Sequence, residues 1–163
     1  MSRYASDTTV SPEKSRAEIE SMLNRYGAAG FGYGHDNGQS MIMFRISSGI
    51  GGVSLMVRMI LPTPNRDERA FTHTPTGKAR AESQIEAEYM QEIRRRWRSL
   101  ALIVKAKLEA CASGISTIER EFMADVVDPA SNRTLGETIL PALEGNYRDP
   151  SNKPLALLPG GSR

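Results

Sequence analysis

The chain is poor in the side chains from which many enzymes build an active site. Its 163 residues include one cysteine, Cys111, and two histidines, His35 and His73. One cysteine excludes a disulfide within the chain and cannot make a zinc cluster of the multi-cysteine kind. No spacing of residues is typical of a nucleophile with its base or of a metal centre. The sequence therefore favours a non-enzymatic protein without a metal or a cofactor.

Long apolar segments are missing as well. The longest apolar stretches are interrupted at Arg45, Arg58 or Lys105, far short of the roughly 20 residues that span a bilayer. The N-terminal stretch MSRYASDTTVS also lacks the apolar centre of a secretory signal. Together with the single cysteine, these absences predict a protein of a reducing cytosol that does not bind a membrane.

What the chain does contain is an ordinary globular composition with an uneven distribution of charge. Hydrophobic residues make up 39% and charged residues 25%, values that argue against global disorder. The net charge is only +2, but residues 58–107 carry 11 basic and 6 acidic side chains, a balance of +5. This concentration of positive charge in the middle third is the main functional lead in the sequence.

The first half of the chain predicts a helix followed by a small sheet. Ser11 and Pro12 give a helix start, and apolar residues at spacings of three and four continue to Tyr26. Alternating apolar residues and glycine-rich turns then predict three strands, joined by connections short enough for an antiparallel meander. The strands span residues 29–35, 40–46 and 53–61.

The second half predicts helices. Residues 62–78 form a loop with three prolines, and a continuous apolar stripe then predicts a long helix over about 79–112. Capping boxes predict the starts of two shorter helices, the second of which contains Pro141. The boxes pair Ser116 with Glu119 and Thr134 with Glu137. We expect Pro141 to bend the last helix or to delay its start.

These elements predict one α+β domain: an N-terminal helix, a three-stranded antiparallel meander, a long central helix packed on the sheet, and two shorter C-terminal helices. The domain spans residues 11–158, and residues 1–10 and 159–163 are expected to be disordered tails. So small a sheet leaves two edges and one face open, so we expect a homo-oligomer.

The stretch GFGYGHDNG at 30–38 raises the question of a nucleic-acid platform. Its Gly-Phe-Gly-Tyr centre resembles part of the RRM signature, but the leading basic residue and the final aromatic of that signature are Ala29 and Asp36 here. An RRM also begins with a strand, whereas this chain begins with a helix, so we reject that fold. Phe31 and Tyr33 lie on one side of the predicted hairpin, where they either pack beneath the long helix or stack on bases.

The stretch IRRRWRSLALIVKAK at 93–107 is more informative. On a helix, Arg94, Arg98 and Lys105 fall on one side, and Arg95 points nearly opposite the apolar stripe. We call these four residues the basic ridge; it either holds phosphates or is a solvated face whose cations pair with carboxylates. Five further cations on the sheet and near the loop are predicted to extend the ridge into a groove. They are Arg58, Arg66, Arg69, Lys78 and Arg80.

Four segments of the chain are distinctive as sequences. They read RAEIESMLNRYGAAGFGYG, MIMFRI, RWRSLALIVKAKLEACASGISTIEREFMADVV and LALLPG. Through these segments, residues 9–160 resemble an uncharacterised family of small proteins encoded by tailed phages and prophages. The resemblance implies a phage origin and action in the host cytoplasm, and it transfers no catalytic residue.

Two functions follow as hypotheses. The first is a non-enzymatic nucleic-acid-binding accessory protein that supports phage replication or recombination through the basic ridge. The second is an inhibitor or adaptor that binds a phage protein or a host protein, such as a host defence protein. A small hydrolase or nuclease is a weaker interpretation, because the predicted strands carry no acidic residues.

Overall fold

The computed structural model describes residues 5, 7–36, 38–49 and 51–149. It confirms the predicted α+β architecture. The predicted tail at 159–163, and part of the one at 1–10, lie outside the described residues. The elements are α1 (Pro12–Arg25), β1 (Ala29–Asp36), β2 (Gln39–Ser47), β3 (Ser54–Pro62), α2 (Arg69–Thr72), α3 (Glu82–Ala112), α4 (Ile118–Phe122), a 3-10 turn (Met123–Asp125), β4 (Val127–Asp128), β5 (Arg133–Thr134) and α5 (Leu135–Arg148).

α1 begins at the predicted residue, Pro12, and ends at Arg25, one residue before the predicted end. The Ser11 hydroxyl accepts a hydrogen bond from the backbone nitrogen of Lys14 at 3.2 Å, which caps the first turn. Gly27 follows the helix with a φ of +78°, a conformation that glycine adopts at little cost. Ile19 and Leu23 are fully buried, so α1 is held in place by its apolar face.

The strands β1, β2 and β3 form an antiparallel sheet in that order. β2 and β3 pair without a break, whereas a bulge between Ala29 and Gly32 shifts the β1–β2 register. Every second side chain of a strand points to the same face, and Ile42, Phe44 and Ile46 of β2 are therefore buried together. This face of the sheet carries the hydrophobic core.

α3 packs on the buried face of the sheet. Its buried residues are Trp97, Leu100, Ala101, Val104 and Leu108. They join Phe44 and Val57 of the sheet in one hydrophobic cluster. α1 runs beside α3 in the same direction: Gln91 donates to the carbonyl of Thr8 just before α1, and farther along Arg98 pairs with Glu18.

α3 begins at Glu82, three residues after the start that the sequence predicts at about residue 79. The reason is that Arg80 binds the loop before the helix. Its Nη1 atom donates to the carbonyl oxygens of Ala70, Phe71 and His73 at 2.7, 3.2 and 2.8 Å. The single turn α2, which the sequence did not lead us to predict, contributes the first two of these carbonyls. Arg80 therefore organises the loop.

The predicted capping box of Ser116 and Glu119 is wrong. α4 is capped by Thr117, whose hydroxyl accepts from a backbone N–H of the first turn at 3.4 Å. Glu119 reaches instead to the end of β2, where its Oε1 accepts from the Ser48 hydroxyl at 2.7 Å and from the Gly49 nitrogen at 2.5 Å. The hydrogen bond from Ser48, with smaller contributions from the other donors, lowers the pKa of Glu119 to about 2.

The second predicted capping box is confirmed at the start of α5. The backbone nitrogen of Glu137 donates to the Thr134 hydroxyl at 3.2 Å, and the Thr134 nitrogen donates to the Glu137 carboxylate at 2.8 Å. Pro141 lies inside α5 and does not delay its start. Proline has no N–H for the Glu137 carbonyl, and the Arg133 guanidinium donates to that oxygen at 2.6 Å instead.

Candidate interaction surfaces

Three residues of the basic ridge, Arg94, Arg98 and Lys105, lie along the seam between α1 and α3. Arg98 forms an ion pair with Glu18 of α1. Arg94 donates to the side-chain oxygen of Gln91 at 3.2 Å, a neutral partner, and forms no ion pair among the residues that the structure describes. Lys105 is exposed and forms no ion pair with any residue that the structure describes. This side of α3 is therefore one wall of a helix–helix contact.

Arg95, the fourth residue of the ridge, shares a carboxylate with its neighbour Arg96. The Nε atom of Arg95 donates to Glu92 at 2.6 Å, and that of Arg96 donates to the same carboxylate at 2.8 Å. These bonds, above all the one from Arg95, lower the pKa of Glu92. Glu92 therefore stays ionised and neutralises one of the two positive charges.

Three of the five cations predicted outside the ridge also pair with carboxylates. The pairs are Arg58 with Glu137 at 3.1 Å, Arg80 with Glu88 at 3.4 Å, and Arg66 with Glu86 at 3.1 Å and with Glu82. The bonds to Glu82 and Glu86 raise the pKa of Arg66. Arg69 and Lys78 form no ion pair within the described part of the chain.

Five of the nine predicted nucleic-acid contacts thus form ion pairs, counting Arg95 and Arg98 of the ridge. The four that have no carboxylate partner in residues 5, 7–36, 38–49 and 51–149 are divided between α3 and the segment before it. They are Arg94, Lys105, Arg69 and Lys78. The positive charge on the surface is consequently smaller and more scattered than the sequence suggests.

The two aromatic residues predicted for stacking, Phe31 and Tyr33, lie on the core face of β1. The Tyr33 ring meets Phe31 edge to face with centroids 4.6 Å apart, and meets Trp97 of α3 at 6.2 Å. The Arg16 guanidinium lies over the Tyr33 and Trp97 rings at 5.5 and 5.2 Å. The Tyr33 hydroxyl donates to the Arg16 carbonyl at 2.8 Å, and desolvation raises its pKa to about 12. These contacts attach α1 and α3 to the first strand.

The glycines of GFGYG lie on the opposite face of β1. A Cβ added at Gly34 would lie 3.0 Å from Cγ of Met41, and one added at Gly30 would lie 3.8 Å from the side chain of Arg45. Long side chains of β2 therefore occupy the space above Gly34 and Gly30, whereas a Cβ added at Gly32 would meet no atom within 4 Å. The sheet thus accounts for most of the motif: Phe31 and Tyr33 lie on the core face, where Tyr33 stays 40% exposed, and Gly34 and Gly30 leave room for side chains of β2.

An exposed apolar surface that the sequence did not lead us to predict lies on α5. Gly136, Leu140, Leu143 and Tyr147 recur at steps of four, three and four, which places them on one helix face. Leu140, Leu143 and Tyr147 are 53%, 39% and 82% exposed, and none of the 14 residues of α5 is buried. The spacing is the signal by which this face is visible in the sequence.

The first turn of α5 packs against the 3-10 turn and leaves a groove beside it. A Cβ added at Gly136 would lie 2.9 Å from the carbonyl oxygen of Ala124, so only glycine permits this approach. The groove has a volume of about 260 Å³ and a largely apolar lining. Its lining includes Met123, Leu135, Ile139 and Leu140, together with Arg120 and Glu121. We call this groove, with Leu143 and Tyr147 beyond it, the α5 surface.

The described residues show no metal site, membrane span or activated thiol. They contain no group of three or more histidine, cysteine, aspartate or glutamate side chains that could hold a metal ion. None of their helices has both the length and the apolar character that a membrane span requires. Desolvation raises the pKa of the Cys111 thiol, which disfavours the reactive thiolate.

Comparison with known proteins does not decide between the hypotheses. No protein-family model, no curated protein and no solved structure matches the chain. The resemblance to phage and prophage proteins stays a prediction, and the function has to be inferred from the surfaces of the molecule.

Proposed function

We propose that the chain is a non-enzymatic interaction protein that binds a protein partner through the α5 surface. The observation that carries the proposal is an apolar helix face, formed by Leu140, Leu143 and Tyr147, that the described part of the chain leaves exposed. Contiguous apolar surface is uncommon on monomeric proteins and usually marks a binding site. If the resemblance holds, the partner is a host or phage protein, and the chain acts on it as an inhibitor or adaptor.

The stability of α5 supports the same proposal. A helix of 14 residues is marginal by itself, since isolated helices need about 12–15 residues even with favourable sequences. α5 also contains Pro141, and its first turn packs closely against the 3-10 turn at Gly136. Because Leu140 is 53% and Leu143 39% exposed, covering the rest of each side chain would contribute about 0.5–1.5 kcal/mol. A partner that covers them gains affinity and orders the helix with the same contacts.

The shape of the α5 surface indicates which kind of partner it fits. A groove that continues into a row of apolar side chains on a helix accommodates another helix. Such a partner presents apolar residues at steps of three and four. Glu144 and Arg148, which pair with each other at 3.7 Å on the polar side of α5, are left in solvent. We therefore expect an amphipathic helix of the partner to bind.

A matched pair of variants tests this function. Leu140→Lys/Leu143→Lys and the control Glu144→Lys change the net charge by the same amount, but only the first alters the apolar face. In nuclease-treated host extract, we expect the unmodified chain and the control to capture one stoichiometric protein that the double variant loses. Capture that survives the double variant, or no captured protein with the unmodified chain, contradicts the proposal.

Nucleic-acid binding in phage replication or recombination is the second candidate. It is favoured by Arg94 and Lys105, which lie along the α1–α3 seam without an ion pair to any described residue, and by the exposed Arg25 near Lys105. Glu18 and Glu109 lie in the same crevice, which reduces its positive potential. Any binding should therefore be weak, independent of base sequence and steeply dependent on salt.

Two single exchanges test the second candidate. Lys105→Glu removes a cation that has no ion pair, whereas Arg66→Glu removes one that Glu82 and Glu86 already neutralise. In gel shifts with single- and double-stranded DNA at low salt, Lys105→Glu should weaken binding more than Arg66→Glu. The candidate is rejected if the unmodified chain gives no shift.

A further inference from the structure

α3 carries a second row of residues on the side away from the core. Five of them recur at steps of four, three, four and three, the heptad spacing of helices that pair with one another. They are Arg95, Ser99, Leu102, Ala106 and Glu109, which we call the outer stripe. Leu102 is 42% exposed, and its neighbour Ile103 is 46% exposed.

The C-terminal half of α3 has more apolar surface than the fold covers. In the segment 99–112, SLALIVKAKLEACA, apolar side chains occur on every side of the helix. The core uses Leu100, Val104 and Leu108, which leaves Leu102 and Ile103 outside. A helix that is apolar on all sides is normally buried on all sides. The small side chains of the outer stripe also permit a second helix to approach closely.

We propose that the outer stripe binds the same stripe of a second copy of this chain, with the two α3 helices antiparallel about a two-fold axis at Leu102. Arg95 and Glu109 each lie seven residues from Leu102, about 10 Å along the helix axis. The axis therefore brings Arg95 of each copy beside Glu109 of the other. A parallel pair would place like charges together, so the charge pattern selects the antiparallel arrangement.

Both charged residues have capacity for this contact. Glu92 accepts hydrogen bonds from the Nε and Nη2 atoms of Arg95. The N–H groups of Nη1 are therefore left for a second carboxylate. Glu109 is exposed and forms no ion pair within the part of the chain that the structure describes; its carboxylate interacts with the Tyr26 hydroxyl of the α1–α3 seam and retains lone pairs for a further donor. Each copy therefore offers one donor group and one acceptor to its partner.

A largely apolar recess beside the outer stripe, whose lining also includes Arg95, Arg96 and Asp125, enlarges the contact. It has a volume of about 330 Å³ and is lined in part by Met59, Ile60 and Leu61 of β3 and by Ser99 and Ile103 of α3. Ile60 and Ile103 are both exposed in the single chain. This interface uses none of the residues of the α5 surface, so it does not depend on the function proposed above.

A charge exchange across the two-fold axis tests the proposal. Sedimentation equilibrium should show a dimer for the unmodified chain. Arg95→Glu and Glu109→Arg should each raise the dimer dissociation constant about tenfold or more, because each places like charges together. The combined variant Arg95→Glu/Glu109→Arg reverses the pairs and should restore the dimer. Arg94→Glu, with the same charge change on the α1 side of the helix, should leave it unchanged.

Arg95→Glu also removes the bond to Glu92, so circular dichroism and urea unfolding must show that each variant is folded. Glu109→Arg breaks no ion pair of the single chain and keeps the test decisive if Arg95→Glu unfolds. A monomer at every concentration of the unmodified chain overturns the proposal. So does a dimer that Glu109→Arg does not weaken, or a folded combined variant that remains dissociated.

Discussion

The core face of α3 and the apolar face of α5 have similar spacings in the sequence and different surroundings in the structure. Val104 and Leu108 of α3 are fully buried beneath the sheet, whereas Leu140, Leu143 and Tyr147 of α5 are exposed. α3 packs on the buried face of the sheet, while α5 packs on the 3-10 turn and on β5 before it, and reaches β3 through the ion pair of Glu137 with Arg58. Periodicity thus identifies an apolar face, but the topology of the chain decides whether the fold itself covers that face.

The largest expected effect on stability comes from truncating a side chain of the buried core beneath α3. Phe44 is fully buried and meets Phe122 edge to face at 5.6 Å. Phe44→Ala should lower the free energy of unfolding by about 3–5 kcal/mol, measured by urea denaturation. Leu143→Ala on α5 should change it by less than about 0.5 kcal/mol. Equal costs for the two exchanges would show that the α5 face belongs to the core.

A smaller effect should come from restoring the backbone hydrogen bond of α5 that Pro141 removes. Pro141→Ala restores a backbone N–H opposite the Glu137 carbonyl, which Arg133 now serves. The amides of α5 should then exchange with solvent about tenfold more slowly, as measured by hydrogen exchange. Arg133→Ala should speed this exchange in the parent chain and have little effect in the Pro141→Ala background. If Arg133→Ala speeds the exchange equally in the parent chain and in the Pro141→Ala variant, the Arg133 guanidinium does not replace the missing backbone N–H.

The contact between Glu119 and the end of β2 should appear as a dependence of stability on pH. The pKa of Glu119 is lowered from 4.5 to about 2 in the folded chain, so folding favours the ionised carboxylate. Its contribution is present above about pH 4.5 and is lost as the pH falls toward 2. The melting temperature of Glu119→Gln should therefore fall less steeply over this interval than that of the parent. Parallel curves would exclude the contact.

The smallest effect is expected at the ion pair between α1 and α3. Both Arg98 and Glu18 are partly exposed, and such pairs contribute roughly 0–1 kcal/mol to stability. Arg98→Ala should change the free energy of unfolding by no more than this amount. The double variant Arg98→Ala/Glu18→Ala should differ little from either single variant. A loss of several kcal/mol in the free energy of unfolding would mean that this ion pair is part of the buried core between α1 and α3.

The sequence predicts the larger elements well because their periodicity extends over several turns or strand residues. The ends of α1, β1, β2 and β3 lie within one residue of the predictions, and α3 begins three residues late. The missed elements, α2, β4 and β5, have only two to four residues, too few for a periodic pattern. The wrong cap at Ser116 has another cause: Glu119 finds stronger partners in Ser48 and Gly49, which are distant in the sequence.

The surface is harder to predict than the fold for the same reason. Glu92 and Arg96 are four residues apart, so their pairing is visible in the sequence. The partners of Arg98 and Arg58 are 80 and 79 residues away and meet them only through folding. Counting charges along the chain therefore overstates the positive surface. On α5 the sequence shows the apolar spacing of the face, but only the structure shows that this face is exposed.

The most direct test of the account is the stability of Leu140→Lys/Leu143→Lys in the purified chain. If the apolar face of α5 is reserved for a partner, this variant should unfold at nearly the same urea concentration as the parent while losing the captured protein. A loss of several kcal/mol in the free energy of unfolding, or full retention of the partner, would contradict the account.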